Sequence, residues 1–159
     1  MLPQPNEGDV PHDTEEPTWL AFDDVVDIHH RTMRQAGESP RSVIDHGRLR
    51  SKLMRPVNAY HYEGVRDAHS LAAMVAIAIS QAHGFEDGNK RTAFASMILF
   101  LRSMGYGLRV VDETAGAWLI TIAEAHDRDR DAKTEEFAAW LRQATSRTSQ
   151  REDPSLRSG

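Results

Sequence analysis

The chain contains no cysteine, which excludes a disulfide framework, a thiolate-built zinc site and a cysteine nucleophile, and is compatible with a reducing compartment. Aromatic residues are few at 7%, which is ordinary for a soluble globular protein rather than a disordered or membrane one. No apolar run approaches the roughly 20 residues that cross a bilayer. The first 17 residues carry no Lys or Arg, and with no apolar run either they lack both parts of a secretory signal. The expectation is a cytoplasmic protein with no membrane association.

What is present is ordinary globular composition, 40% hydrophobic and 27% charged over 159 residues. That length suits one hydrophobic core. The formal charge of -5 comes from Glu7, Asp9, Asp13, Glu15 and Glu16 alone, and beyond Pro17 acidic and basic residues balance. A broad electrostatic footprint for nucleic acid is therefore not expected, and no direct nucleic-acid binding is predicted. Residues 1–17, with prolines at 3, 5, 11 and 17, read as a disordered acidic arm. Residues 18–143 read as the folded domain. The Ser/Thr/Arg/Gln-rich residues 144–159 read as a second disordered tail.

Within the domain, the periodicity predicts helices almost throughout. Thr18 is placed to cap a first helix running to about Ala36, with Trp19, Phe22, Val25, Val26 and Met33 on its apolar stripe and Gly37 as its stop. Ser42 or Asp45 opens a second helix that should end near Arg55, because Pro56 disfavours helical geometry in the residue before it. Its polar side carries Arg48, Arg50, Lys52 and Arg55, which reads as a solvated face with a phosphate- or partner-facing patch as the alternative. Val65 to Ala82 and Asn89 to Met104 are apolar around most of their circumference and must be buried on several sides, with Gly105 stopping the second. Tyr106 to Val111 is a short β-like run, one arm of a small hairpin at most. Helices follow at about Glu113 to His126 and at Thr134 to Gln143, the latter capped by Thr134.

Between the two buried segments lies His83-Gly84-Phe85-Glu86-Asp87-Gly88-Asn89-Lys90-Arg91-Thr92, where a histidine, carboxylates and two cations interrupt apolar sequence. Such polarity at a core junction is costly unless it serves a purpose. The N-terminus of the following helix offers unpaired N–H groups and a positive dipole end, an arrangement that suits phosphate. Lys90 and Arg91 in its first turn oppose that dipole unless an anion offsets them. Gly88 permits positive φ and close approach of a ligand, Asp87 is a hard oxygen ligand of the kind Mg2+ shares with phosphates, and His83 is a suitable general base for a hydroxyl. The plainer alternative makes Asp87-Gly88-Asn89 a turn and cap, with His83 covering the last carbonyls of the preceding helix. Phe85 reads as a buried anchor for the loop.

The stretch resembles the Fic/Doc family motif, His-x-Phe-x-Asp/Glu-Gly-Asn-Gly/Lys-Arg, through His83, Phe85, Asp87, Gly88, Asn89, Lys90 and Arg91. The likeness extends from about Trp19 to Arg142, including the closing Ala-Trp-Leu-Arg. It implies an all-α, compact Fic-type helical bundle with two central buried helices joined by the active-site loop. It also implies that His83 deprotonates a target hydroxyl and that Asp87 holds Mg2+ against the phosphates of ATP. The backbone around Gly88, with Asn89, Lys90 and Arg91, would hold those phosphates.

AMP-transferring members usually carry Gly at the position of Lys90 and a second Arg at that of Phe94. A long cation in the phosphate nest and the loss of a bidentate clamp both favour another nucleotide orientation. The pattern resembles the Doc toxin branch, which implies transfer of the γ-phosphate to a hydroxyl of elongation factor Tu, with arrest of growth. AMP transfer to a protein hydroxyl is the alternative within the fold, and a catalytically inactive binding module the alternative of another class. The family's inhibitory pattern Ser/Thr-x-x-x-Glu-Gly/Asn is missing, since the Glu-Gly pairs at 7–8 and 63–64 lack the Ser/Thr. Control is therefore expected from a separate antitoxin, Phd-like or another, bound beside the loop. A metal site built from His29, His30, His61 and His69 is disfavoured, because adjacent helical residues point to different sides.

Overall fold

The computed structural model describes residues 15–109 and 113–148. Its elements in chain order are α1 (Phe22–Gln35), α2 (His46–Glu63), α3 (Ala68–Ala82), α4 (Asn89–Ser103), β1 (Tyr106–Leu108), α5 (Glu113–Glu124), α6 (Asp127–Ala144) and β2 (Thr145–Arg147). The all-α expectation holds: the helices form a bundle, and the described strands make one two-stranded sheet.

Helix α3 is the axis. Ala68 to Ala73, Val75 to Ser80 and Ala82 are all buried, as a helix with apolar residues on nearly every side requires. It packs on α4, α2, α6 and α5, and its small alanines let those neighbours approach closely. Leu71, Ile79, Phe85, Met97, Phe100, Leu101, Leu119, Phe137 and Leu141 fill the core around it. Asp67 caps α3 by accepting the Ser70 N–H at 2.9 Å. Helix α4 ends at Ser103, and Gly105 follows at φ 94°, in the left-handed conformation expected of a helix stop.

Several boundaries differ from the sequence reading. Helix α1 starts at Phe22 rather than behind Thr18, because Trp19 is drawn down as an anchor, edge-on to Tyr60 at 5.6 Å and stacked on Phe100 at 5.9 Å. The Asp24 carboxylate instead accepts the Ala21 N–H at 2.8 Å and caps the helix start. Helix α2 runs through Pro56 to Glu63 and stops at Gly64, φ 72°. The proline removes one ladder bond, at about 3 kcal/mol, and burial of Leu49, Leu53, Pro56, Ala59 and Tyr60 along one face outweighs it. Helix α6 begins at Asp127, with Asp127 and Asp129 in the first turn, where carboxylates favour the positive dipole end. Thr134 therefore lies inside the helix, donating to the Arg130 carbonyl at 2.7 Å, and is not its cap.

The short β run does not form a local hairpin. Tyr106 to Leu108 pairs antiparallel with Thr145 to Arg147, so residues read from composition as the start of a disordered tail are strand. Thr148 N–H donates to the Gly105 carbonyl at 2.8 Å and extends the closure. At the other end, Pro17 is buried and Glu16 accepts from Trp19 Nε1 at 2.8 Å and pairs with His61 at 2.9 Å. The remainder of the predicted arms, residues 1–14 and 149–159, lies outside the described residues.

Arg142 ties the start of α3 to α6 through Asp67 at 2.8 Å, Glu135 at 3.0 Å and Ser70 Oγ at 3.1 Å. Burial works against an ionised Asp67, but the neighbouring His69, Arg142 and the Ser70 N–H overcome it and hold the carboxyl well below its ordinary value of 3.8. A carboxylate depressed on folding contributes stability that is present above the unfolded pKa and lost as pH falls toward the folded one. Asp67→Asn is expected to cost about 1 kcal/mol at neutral pH for a half-exposed pair, with the gap to the parent closing below about pH 4. Urea unfolding of both proteins as a function of pH measures this.

Candidate active site

The last residue before the loop sets its direction. His83 is the C-cap of α3 and adopts φ 48°, ψ 43°, the one non-glycine residue at positive φ among those described. That conformation costs a non-glycine residue about 1 kcal/mol or more and concentrates at functional sites. It turns the chain sharply off the helix and leaves the imidazole exposed. The ring makes no hydrogen bond to the helix carbonyls among the described residues; Arg48 Nη2 reaches the Gln81 carbonyl instead, at 3.4 Å.

Beyond His83 the loop alternates between what it buries and what it presents. Gly84, Phe85 and Gly88 are buried, whereas Glu86, Asp87, Lys90 and Arg91 are exposed. Gly84 lies close against α2: a Cβ there would sit 3.1 Å from Leu49 Cβ, so that side chain would have to give by a few tenths of an ångström. Its carbonyl accepts from Ile44 N–H at 2.7 Å and Asp45 N–H at 3.3 Å, and Glu86 N–H donates to Ser42 at 3.1 Å. Residues 42–45 thus lie antiparallel against 84–86, bridged at Val43 and Phe85, and Arg41 pairs with Glu86 at 2.9 Å across the seam.

Phe85 is the predicted anchor. It stacks on the ring of His29 at 3.9 Å and 8°. Asn89 closes the loop onto it: Oδ1 accepts the Phe85 N–H at 3.0 Å and Nδ2 donates to the Phe85 carbonyl at 2.9 Å. The Asn89 side chain is thereby committed to the loop, and what this residue offers a ligand is its backbone N–H.

Gly88, at φ 82°, is the N-cap of α4, with no side chain capping the helix. The first ladder bond runs from Thr92 N–H to the Gly88 carbonyl at 2.9 Å. The N–H groups of Asn89, Lys90 and Arg91 belong to the turn that an α-helix cannot satisfy internally, and they are the groups that an anion at this terminus would meet. One oxygen of Asp87 accepts the Gly88 N–H at 2.8 Å, which leaves the other to face solvent or a cation. Among the described residues no group of three or more acidic or histidine side chains could enclose a metal. An ion on Asp87 would complete its shell with water and phosphate oxygens, the manner in which Mg2+ is usually held.

The two cations differ. Arg91 pairs with Glu38 at 2.8 Å, and that hydrogen bond raises its already high pKa. Lys90 is exposed and has no ion pair among the described residues, so a positive charge stands unneutralised at a helix N-terminus. A cleft of about 510 Å3 between α2, α3 and α6, lined by Lys52, Arg55, Ile77, Gln81 and Arg130, contains none of residues 83–92.

His29, Glu38 and Arg41 are contributors that the sequence reading missed. Only a histidine on the buried stripe of α1 could have signalled the first of them, and nothing local signals the other two. His29 is fully buried, and burial, with His30 nearby, lowers its pKa. Of the other histidines, His69 is buried against Thr145 and Tyr106 and His61 lies with Glu16, so the set does not converge on a metal. Gly88 is the most constrained position: a Cβ there would lie 2.6 Å from Met33 Sδ and 3.2 Å from His29 Cε1, in a backbone conformation that already disfavours it. Gly88→Ala is expected to lose about 1–3 kcal/mol in thermal or urea unfolding from overpacking and positive φ together, and to weaken anion binding to the loop.

Residues 19–101 match the model of the Fic/DOC family. The chain is also 30% identical over 102 residues to the Protein kinase doc of Escherichia phage P1, across 62% of this chain and 80% of that protein. Helix α3, the whole of the loop and α4 as far as Leu101 fall inside the family match.

Proposed function

Because the chain belongs to the Fic/DOC family, we propose that it is a toxin-like protein transferase that moves the γ-phosphate of ATP to a hydroxyl of a translation protein, elongation factor Tu. The observation that carries this reading is the exposed His83, held at positive φ, beside a helix N-terminus that bears Lys90, a cation with no ion pair among the described residues. A base for the acceptor and a nest for the donor thus lie on one rigid loop. The similarity to a relative named a protein kinase supports phosphoryl transfer. So do Lys90 and Phe94, which depart from the Gly and second Arg associated with AMP transfer.

In this mechanism His83 takes the proton from the acceptor hydroxyl. The hydroxyl oxygen then forms a bond to the γ-phosphorus while the bond to the β–γ bridging oxygen breaks, and ADP leaves. Charge on the phosphates is met by the first-turn N–H groups of α4, by Lys90 and by Arg91. The free carboxylate oxygen of Asp87 would hold Mg2+, which would supply further charge neutralisation. Phosphoryl transfer asks mainly for position and charge compensation, and a preorganised loop provides both.

Control falls to a separate antitoxin that binds beside the loop. The chain's expression alone should then arrest growth, and co-expression of the cognate antitoxin should relieve it. His83→Ala should be harmless.

ATP labelled at the γ- or α-phosphate, incubated with Mg2+, purified elongation factor Tu and host lysate, distinguishes the chemistries. Label from the γ-position on the factor, reduced at least about a hundredfold in His83→Ala, is the expected result. Label from the α-position makes the protein an AMP transferase, label on another protein overturns the target, and label from neither leaves a binding module. A second expectation concerns Glu38, which occupies Arg91 as a phosphate would. Glu38→Gln should tighten Mg-ATP binding by up to about fivefold, the equivalent of an exposed ion pair of roughly 1 kcal/mol, as read by titration calorimetry.

A further inference from the structure

The His29 ring lies beneath the loop with no exposed surface and is held in two directions. Arg41 N–H donates to its Nε2 at 3.1 Å. A backbone amide can only donate, so Nε2 is unprotonated, the neutral ring carries its proton on Nδ1, and that proton is donated to Thr92 Oγ1 at 2.9 Å. One face of the ring covers Phe85, and Cε1 lies where a side chain at Gly88 would begin.

The two hydrogen bonds end on different halves of the site. Thr92 makes the first ladder bond of α4, to the Gly88 carbonyl, so fixing it fixes the turn whose N–H groups face an anion. Arg41 leads into residues 42–45, which are bonded to Glu86 and to the carbonyl of Gly84, the residue next to His83. A ring that served only to fill space beneath Phe85 would need neither bond, and a leucine or phenylalanine would fill it without burying two nitrogens.

We infer that His29 is a positioning residue for the transfer reaction, setting the separation between the anion-facing turn of α4 and the segment 41–45 that flanks His83. The inference rests on the reading of the loop as a nucleotide site. Its Nδ1 arm serves the donor side and its Nε2 arm the acceptor side. No smaller side chain reproduces both: asparagine reaches only the Nδ1 position, glutamine only the Nε2 position, and phenylalanine keeps the stack and loses both bonds.

The test uses the full chain and compares His29→Asn, His29→Gln, His29→Phe and Thr92→Val, the last leaving the ring intact. Amide hydrogen exchange and Mg-ATP titration are read on each. In His29→Asn, exchange at Arg41, Ile44 and Glu86 should rise about tenfold, the scale of one lost hydrogen bond, while Thr92 exchange and Mg-ATP affinity change less than about twofold. In His29→Gln and Thr92→Val the pattern should reverse, with Mg-ATP affinity falling about tenfold and the 41–45 amides staying protected. His29→Phe should show both losses. Equal changes in His29→Asn and His29→Gln, or a uniform rise across the chain in every variant, would make His29 a packing residue and overturn the inference. Failure of the parent protein to bind Mg-ATP would overturn the nucleotide reading instead, and the exchange split would still decide whether one ring holds the two segments separately.

Discussion

The burial of Phe85 between the His29 ring and the two amide bonds of Asn89 is the interaction on which the site depends. A buried aromatic ring is worth roughly 2–3 kcal/mol, and its backbone N–H and carbonyl would each cost about 1–3 kcal/mol if left unpaired in the interior. Asn89 satisfies both. With this one residue pinned, the chain on either side has little freedom. Its neighbours Gly84 and Gly88 are pressed against Leu49 and Met33, and His83, Asp87, Lys90 and Arg91 are left facing outward. The anchor therefore converts a polar stretch, which would otherwise be a floppy junction between two buried helices, into a surface of defined geometry.

Electrostatics then gives that surface its preference. Helix α4 opens with two cations in the turn where a dipole favours anions, and no side chain caps it. Glu38 compensates Arg91, an arrangement that holds the guanidinium in place while leaving it displaceable, since both partners are about two-fifths exposed. Lys90 has no such partner among the described residues. The positive φ of His83 and the mismatch of charge at the helix start lie on the same short loop, where the proposed reaction would put both to use.

The elements that were legible in the sequence share one property: their signals are local and strong. Ala68 to Ala82 is apolar on nearly every side, so no other packing could bury it; Asn89 to Ser103 buries one face through Thr92, Ala93, Ser96, Met97, Phe100 and Leu101; and the glycines at 37, 88 and 105 mark turns that the backbone then makes. The misread boundaries are those at which a distant contact overrides a local preference. Pro56 ends a helix on its own terms, yet α2 continues because its buried face is worth more than one hydrogen bond. Thr18 is a good cap, but Trp19 is taken by Tyr60 and Phe100. Thr145 to Arg147 has the composition of a tail and becomes a strand only because Tyr106 to Leu108 waits beside it.

The sequence by itself determined the class of the fold, the position of the loop and the identity of its exposed groups, because all of these depend on residues within one or two helical turns of each other. Only the tertiary structure decided how those groups are held. The pairing of Arg91 with Glu38, the seam between 42–45 and 84–86, and the two bonds of His29 join segments from 12 to 63 residues apart. Such contacts leave no periodicity or spacing in the chain, and they appear only when the packing of α1 against α4 brings their ends together.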